Sequence, residues 1–436
     1  MSLPRSLLAF VAVVIGLLAV ASPAAAELLG QEDDASSTEV RGTLRTTSDD
    51  GEDLFVEDVN FIVTDEAGTE VGIGVTDSEG NWSVELPGAG TYSVLLDEST
   101  LPEGVPLRNP DNNPLTVEIG EGDSRPTLFP LGEATSAAGS TIEAVQLFVD
   151  GLKLGLIIAM SAIGLSLIYG TTGLTNFAHG EMVTFGALMA YLFNVTGVFG
   201  ITTSLIVAGL LSVVVSAVAG GLFNGLVWAP LRHRGASLIA ALIVSIGFSI
   251  LLRYLMLYQF GGRSRFYSDY QLQEKYDLGW FTLAPKDLFI ILFSTFVLIV
   301  VGIGLQKTRA GKAMRAVADN RDLAESSGID VEQVIRWVWI VGGGLAGLGG
   351  VLFGLTEALS WEMGFRILLL MFAGVTLGGL GSAYGALVGS VIVGIFIQMS
   401  TLVIPSDMKN VGALLTLILI LLVRPQGLLG RPERVG

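Results

Sequence analysis

Asn176, His179 and Glu181 fall within six residues of one another in TNFAHGEMVTFG, residues 175–186. An amide, an imidazole and a carboxylate this close could ligate a metal, move a proton, or bond to backbone that has lost its helical partners. The setting narrows the choice. An apolar run long enough to cross a membrane, residues 145–170, precedes them, and another follows. The chain has two histidines, His179 and His233, and no cysteine, so a His-rich or Cys-based metal site cannot be assembled. The three side chains do not form a proton relay either. Gly170, Gly173 and Gly180 loosen the backbone around the span boundary. A broken helix at membrane depth survives only inside protein or beside a water-filled cavity. Asn176, His179, Gly180 and Glu181 are therefore candidates for a helix break or a translocation path. Both readings stay open: a clamp that fixes the bend, or side chains that line the path.

No enzyme signature accompanies them. Neither histidine sits in a recognisable nucleophile context. Gly311-Lys312 is followed by Ala313, and Gln306 stands where a phosphate-binding loop needs its first glycine, so the chain should not hydrolyse ATP by itself. No catalytic, metal-binding or cofactor-binding residue is expected.

The elements that position these residues follow from composition. The 436 residues are 51% hydrophobic with a mean hydropathy of +0.65, too apolar for a soluble protein of this size. The net charge of −17 is unevenly spread. Residues 27–141 hold 25 acidic and 4 basic side chains, and residues 142–436 hold 16 and 19. The acidity thus belongs to one segment and argues against a nucleic-acid partner.

Three parts succeed one another. Residues 1–26 have Arg5, an apolar stretch from Leu7 to Ala21, and Ala24 and Ala26 before Glu27: the layout of a secretory signal peptide, with an uncleaved first membrane helix as the alternative. Residues 37–130 read as a small all-β sandwich outside the membrane. FIVTDEAG, EVGIGVTDSEG, NWSVELPGAG and TYSVLLD are short β-rich runs punctuated at Glu66-Ala67-Gly68, Ser78-Glu79-Gly80-Asn81 and Pro87-Gly88-Ala89-Gly90. Its carboxylates lack the spacing of a calcium loop and read as a solvated acidic surface. Residues 131–141 read as a linker.

The third part, 142–436, is an α-helical polytopic membrane domain. Spans are expected near 144–170, 177–196, 201–230, 236–257, 286–306, 334–357, 366–381, 384–404 and 408–423, nine in all, with eight as the alternative and 366–404 as a possible re-entrant pair. Arg232 and Arg234 fall in one loop, Lys307, Arg309, Lys312, Arg315 and Arg321 in a second, and Arg424, Arg431 and Arg434 at the C-terminus. With residue 27 outside and nine spans, all three clusters are cytoplasmic, as the positive-inside bias requires. Glycine pairs Gly343/Gly347, Gly350/Gly354 and Gly385/Gly389, each at i, i+4, suit close helix packing.

Between two spans, TRAGKAMRAVADNRDLAESSGIDVEQV, residues 308–334, places Ala313, Met314, Ala316, Val317, Leu323 and Ala324 among charges at helical spacing, with Gly328 as the stop. This reads as one short amphipathic helix whose small alanines suit docking into a protein groove better than anchoring in lipid.

AMRAVADNRDLAESSGIDV resembles the cytoplasmic coupling loop of ABC-transporter permeases, with Ala324 and Gly328 at that loop's Ala-x-x-x-Gly spacing. GLSLIYGTTGLTNFAHGEMVTFGA, LGGLGSAYGALVGSVIVG and LLVRPQGLLG resemble, in order, parts of branched-chain amino acid permeases. The likeness runs through the whole of 142–436. It departs from the pattern where Asp322-Leu323-Ala324 replaces the Glu-Ala-Ala of other importer loops, and in the added N-terminal part. That part resembles the carboxypeptidase regulatory-like, transthyretin-like sandwich.

The resemblance implies a permease subunit of an ABC importer in the cell membrane. The coupling loop would involve Arg315, Ala316, Asp319, Asp322, Ala324 and Gly328. The implied partners are cytoplasmic ATPase subunits, a second permease subunit and an extracytoplasmic solute-binding protein. The implied substrates are branched-chain amino acids, or small amides such as urea. Two other readings remain. A stand-alone secondary transporter or channel would use intramembrane charges, for which Glu181, Glu357, Glu362 and Arg366 are the candidates. A membrane-anchored receptor would have the sandwich as its working part.

Overall fold

The computed structural model describes residues 38–47, 53–102, 105–107, 113–119, 124–127, 129, 131, 137–197, 201–262, 264–270, 273 and 275–403, with 411, 415, 418, 422, 427 and 428 beyond them. The expected signal peptide and most of the expected ninth span lie outside the described residues. The chain divides into two compact units, Leu28–Ser140 and a unit built on Thr141–Gly436.

The first unit is strand-rich because β-branched and aromatic residues alternate with polar ones. Its strands are β1 (Glu39–Thr43), β2 (Arg45–Thr47), β3 (Asp53–Phe55), β4 (Asn60–Asp65), β5 (Glu70–Val75), β6 (Asn81–Glu85), β7 (Gly90–Leu96), β8 (Leu115–Ile119) and β9 (Ser124–Thr127). A four-stranded sheet has the order β5-β4-β7-β8, and a three-stranded sheet has β6-β1-β9. Phe61 of β4 stacks on Trp82 of β6 with ring centroids 4.0 Å apart, joining the two sheets through one apolar core that also takes Val40, Val63 and Val94. The two turns with Gly68 and Gly80 are built alike. Asp65 Oδ1 accepts from the Ala67 and Thr69 amides, and Asp77 Oδ1 from those of Glu79 and Asn81. Both glycines have positive φ, which a side chain would strain. These two carboxylates thus cap turns.

The second unit is helical: α1 (Ala137–Thr172), α2 (His179–Tyr191), α3 (Leu205–Phe223), α4 (Ala229–His233), α5 (Leu238–Phe260), α6 (Pro285–Lys307), α7 (Arg309–Asp319), α8 (Arg321–Ser326), α9 (Val331–Thr356), α10 (Met363–Gly378) and α11 (Ala383–Ser400). Single π-helical turns continue α2 over Leu192–Thr196 and α3 over Asn224–Trp228. Among the described residues, six helices are long and apolar enough to cross a membrane; α2 and α10 are shorter. The count of six differs from the nine expected for two reasons. Two of the expected spans hold only a short helix: residues 173–178 precede α2 as irregular chain, and 359–362 precede α10. The ninth stretch is mostly undescribed.

Helix α9 is the hub. Its glycines let three neighbours approach at backbone distance. A Cβ on Gly342 would lie 3.3 Å from the Gly164 carbonyl oxygen of α1, and one on Gly343 would lie 2.7 Å from that of Ser216 on α3. Gly350 faces the Val183 carbonyl of α2. Gly385 and Gly389 of α11 abut Gly378 and Gly374 of α10. Gly354 departs from the expected seam, since it meets the side chains of Leu359 and Tyr267 in loops instead of a second helix.

Candidate functional site

Helix α1 ends where Gly173 turns left-handed, with φ +69°. The chain then runs back along α5 for six residues before α2 begins. Ser245 of α5 fixes that return: its Oγ lies 3.2 Å from the Phe177 amide nitrogen and 3.3 Å from the Thr175 carbonyl oxygen. Asn176 is fully buried, and its Oδ1 accepts from the Ala178 amide, closing the turn that starts α2. His179 is also fully buried. Its Nε2 donates to the Ser161 carbonyl of α1 at 3.0 Å, since a carbonyl can only accept. Ser161 stands eleven residues before the end of α1, about 16 Å along the helix axis. Helix α2 therefore starts at membrane depth, inside the bundle. Gly180 lets it do so, because a Cβ there would overlap the Gly364 carbonyl of α10.

Glu181 lies in the first turn of α2, where the helix dipole favours an acid. Its side chain is wholly buried, and Oε1 accepts from Ser249 Oγ at 3.0 Å and from Arg253 Nη2 and Nε at 3.0 and 3.2 Å. The Arg253 guanidinium also lies over the Phe365 ring, 4.1 Å from its centroid. Ser245, Ser249 and Arg253 recur every fourth residue, forming one polar stripe on an otherwise apolar helix. Sequence reasoning missed Ser249 and Arg253. The signal was available, as SIGFSILLR places a cation and two hydroxyls on one face of an expected span. The other expected intramembrane charges sit elsewhere. Glu362 pairs with Arg366 at the start of α10, and Glu357 caps the end of α9.

The loop 308–334 is not one helix. Thr308 caps α7 by accepting from the Gly311 amide, and Asn320 ends α7 and caps α8 by accepting from Leu323. Asn320 takes an extended conformation, φ −160°, which breaks the run in two. The apolar residues Met314, Val317 and Ala324 turn inward onto the unit's own core. Ala316 is half-buried beside them, while Arg315, Asp319 and Asp322 are exposed. The outward face is thus charged, and Leu323 is its one large apolar residue, 65% exposed. This corrects the expectation that the small apolar residues themselves face a partner. Gly328 has φ +83°, and the Ile329 amide reaches back to the Ala324 carbonyl at 3.1 Å, closing α8 with a left-handed cap. The Ala324–Gly328 spacing is the length of that cap. Glu332 of α9 ties the loop down, pairing with Arg232 at 2.9 Å and Arg321 at 3.4 Å.

Long apolar helices packed through glycine, around a chain segment re-entering at mid-depth and a buried ion pair, define a multi-pass helical membrane protein. A family model described as "Branched-chain amino acid transport system / permease component" matches residues 147–423. The LivH permease protein of a high-affinity branched-chain amino acid transport system of Salmonella typhimurium LT2 is 31% identical over 303 residues, covering 66% of this chain and 96% of LivH. A probable LivH permease of Methanocaldococcus jannaschii is 33% identical over 63% of this chain and 89% of its own length. The LivM permease of the same Salmonella strain is 27% identical, over 64% and 69%. The chain belongs to the branched-chain amino acid transport permease family, whose members are transporters and not enzymes.

Proposed function

We propose that the chain is the permease subunit of an ABC importer that carries branched-chain amino acids, or related small amides such as urea. A separate cytoplasmic ATPase powers it through α7 and α8. The observation that carries this reading is the α7–α8 pair itself. It is capped at both ends, anchored by Met314, Val317 and Ala324, braced by Glu332, and presents a charged face with Leu323 outward. A surface helix pair held at both ends, with an exposed apolar side chain on its charged face, suits a protein partner.

A second, related permease subunit completes the path. Similarity to both LivH and LivM of one strain supports that pairing. A solute-binding protein delivers the substrate from outside. The chain crosses nine times, with the irregular segments before α2 and α10 completing the two short spans. Residues 1–26 act as signal, and the domain 37–130, a transthyretin-like sandwich, lies outside; the linker expected over 131–141 is cut short by α1, which is already helical from Ala137. The loops bearing Arg232 and Arg321 are cytoplasmic, in keeping with their shared carboxylate, and so is the C-terminus. Asn176 and His179 act as the clamp of the re-entrant segment, and Glu181 belongs to the path. Deleting the gene in its host and measuring uptake of labelled leucine tests the reading. Uptake should fall at least fivefold and return with the restored gene.

A further inference from the structure

Arg253 combines depth, incomplete burial and an unequal partnership. Ser249 is the midpoint of α5, with eleven residues on either side, and Arg253 stands one turn further on. The guanidinium therefore stems from about 6 Å beyond the middle of the span. A cation at that depth is strongly disfavoured against lipid and is found facing protein or water. Glu181 is completely enclosed, whereas the Arg253 side chain keeps 16% exposure. Aromatic residues frame it. Phe365 backs the guanidinium, and next along α5 Tyr254 meets Trp361, ring centroids 6.1 Å apart.

Glu181 does not match the guanidinium fork. Arg253 Nε and Nη2 both converge on Oε1, which also receives Ser249. Glu181 Oε2 is buried and has no partner in the described residues. A fully engaged carboxylate would use both oxygens in parallel. The pair thus holds Arg253 in place and tempers its charge without saturating it.

We infer that Arg253, oriented by Glu181 and Ser249 and backed by the Phe365 ring, receives the carboxylate of an amino acid as it passes the middle of the membrane. This rests on the transport reading and sharpens its substrate class. A planar guanidinium matches a carboxylate in charge and geometry, whereas a neutral amide brings no charge and only one acceptor oxygen. A site in a path must also release what it binds, and the charge of Glu181 weakens the hold.

The competing role is structural, with Arg253 present only to neutralise Glu181. Variants in the chromosomal gene separate the two, with leucine uptake normalised to membrane-inserted protein. Arg253→Gln alone leaves Glu181 unpaired and should insert poorly. The double variant Glu181→Gln/Arg253→Gln removes both charges and should restore insertion. A substrate-binding role for Arg253 keeps its uptake at least tenfold below that of the unaltered protein; a neutralising role restores uptake with insertion. Arg253→Lys keeps the charge and its pairing but loses the fork. It should insert normally and show at least a fivefold higher half-saturating leucine concentration. Uptake by the double variant within threefold of normal, or an unshifted half-saturation in Arg253→Lys, overturns the assignment. Unchanged leucine uptake on deletion of the whole gene instead overturns the transport reading, and this site with it.

Discussion

Gly180 of α2 lies against Gly364 of α10 with no room for a methyl group: a Cβ on either would overlap the other's backbone. The contact is stitched by Thr184, whose Oγ1 accepts from the Gly364 amide at 3.0 Å. It holds the start of the buried half-helix against the bundle. Gly180→Val should force the two backbones apart. Overpacking of this kind costs about 1–3 kcal/mol, and more where backbone cannot yield. The amount of inserted, detergent-stable protein should fall severalfold. Thr184→Val, which removes only the hydrogen bond, should cost less, about 1 kcal/mol. Normal yield of both variants would show that this approach is not needed.

At Gly328 the demand is purely conformational. Nothing lies within 4 Å of where a Cβ would sit, but φ is +83°. Gly328→Val should therefore destabilise the α8 cap by roughly 1–3 kcal/mol, while Gly328→Asn should be tolerated better. Retention of the ATPase on the purified complex, and substrate-stimulated hydrolysis, should follow the order Gly, Asn, Val. Equal retention by all three would remove this cap from the docking account.

Glu332 joins Arg232 and Arg321 across two loops and is partly exposed. Such pairs contribute about 0–1 kcal/mol, less at high salt. Glu332→Ala should lower the melting temperature only slightly at low salt and not at all at high salt. Because the two arginines share one carboxylate, Arg321→Ala in the Glu332→Ala background should add nothing further. Additive losses would mean the two arginines act separately.

The Leu28–Ser140 unit has its own core around Phe61 and Trp82, so it should fold independently of the helices. Protease added to intact spheroplasts should remove it, and a chain lacking it should still support uptake. Protection until lysis would reverse the topology. Loss of uptake with normal insertion would favour the receptor reading.

Much of this was legible in the residues. The strands follow alternation, and the turns at Gly68 and Gly80 follow their Asp-x-x-Gly spelling. The re-entrant start of α2 was foreshadowed by three polar side chains beside three glycines. Its ion partner was not identified, because Arg253 lies 72 positions away inside an apolar run. Averaged hydropathy hides one cation among leucines, although the four-residue spacing of Ser245, Ser249 and Arg253 exposes it. The break at Asn320 hid in the same way, since helical periodicity runs through it and only the cap chemistry of Asn marks the stop. What Gly354 touches could not be read locally, because Tyr267 reaches it from a distant loop.

This permease is proposed to move an amino acid on the power of a separate ATPase. The most direct measurement purifies the chain with whatever subunits accompany it, reconstitutes the complex in proteoliposomes with the required binding protein, and follows labelled leucine. Accumulation should require ATP on the side of α7 and α8, and should stop when the ATPase is inhibited. Accumulation that proceeds without ATP and follows an ion gradient, in a preparation holding no ATPase, would contradict the account.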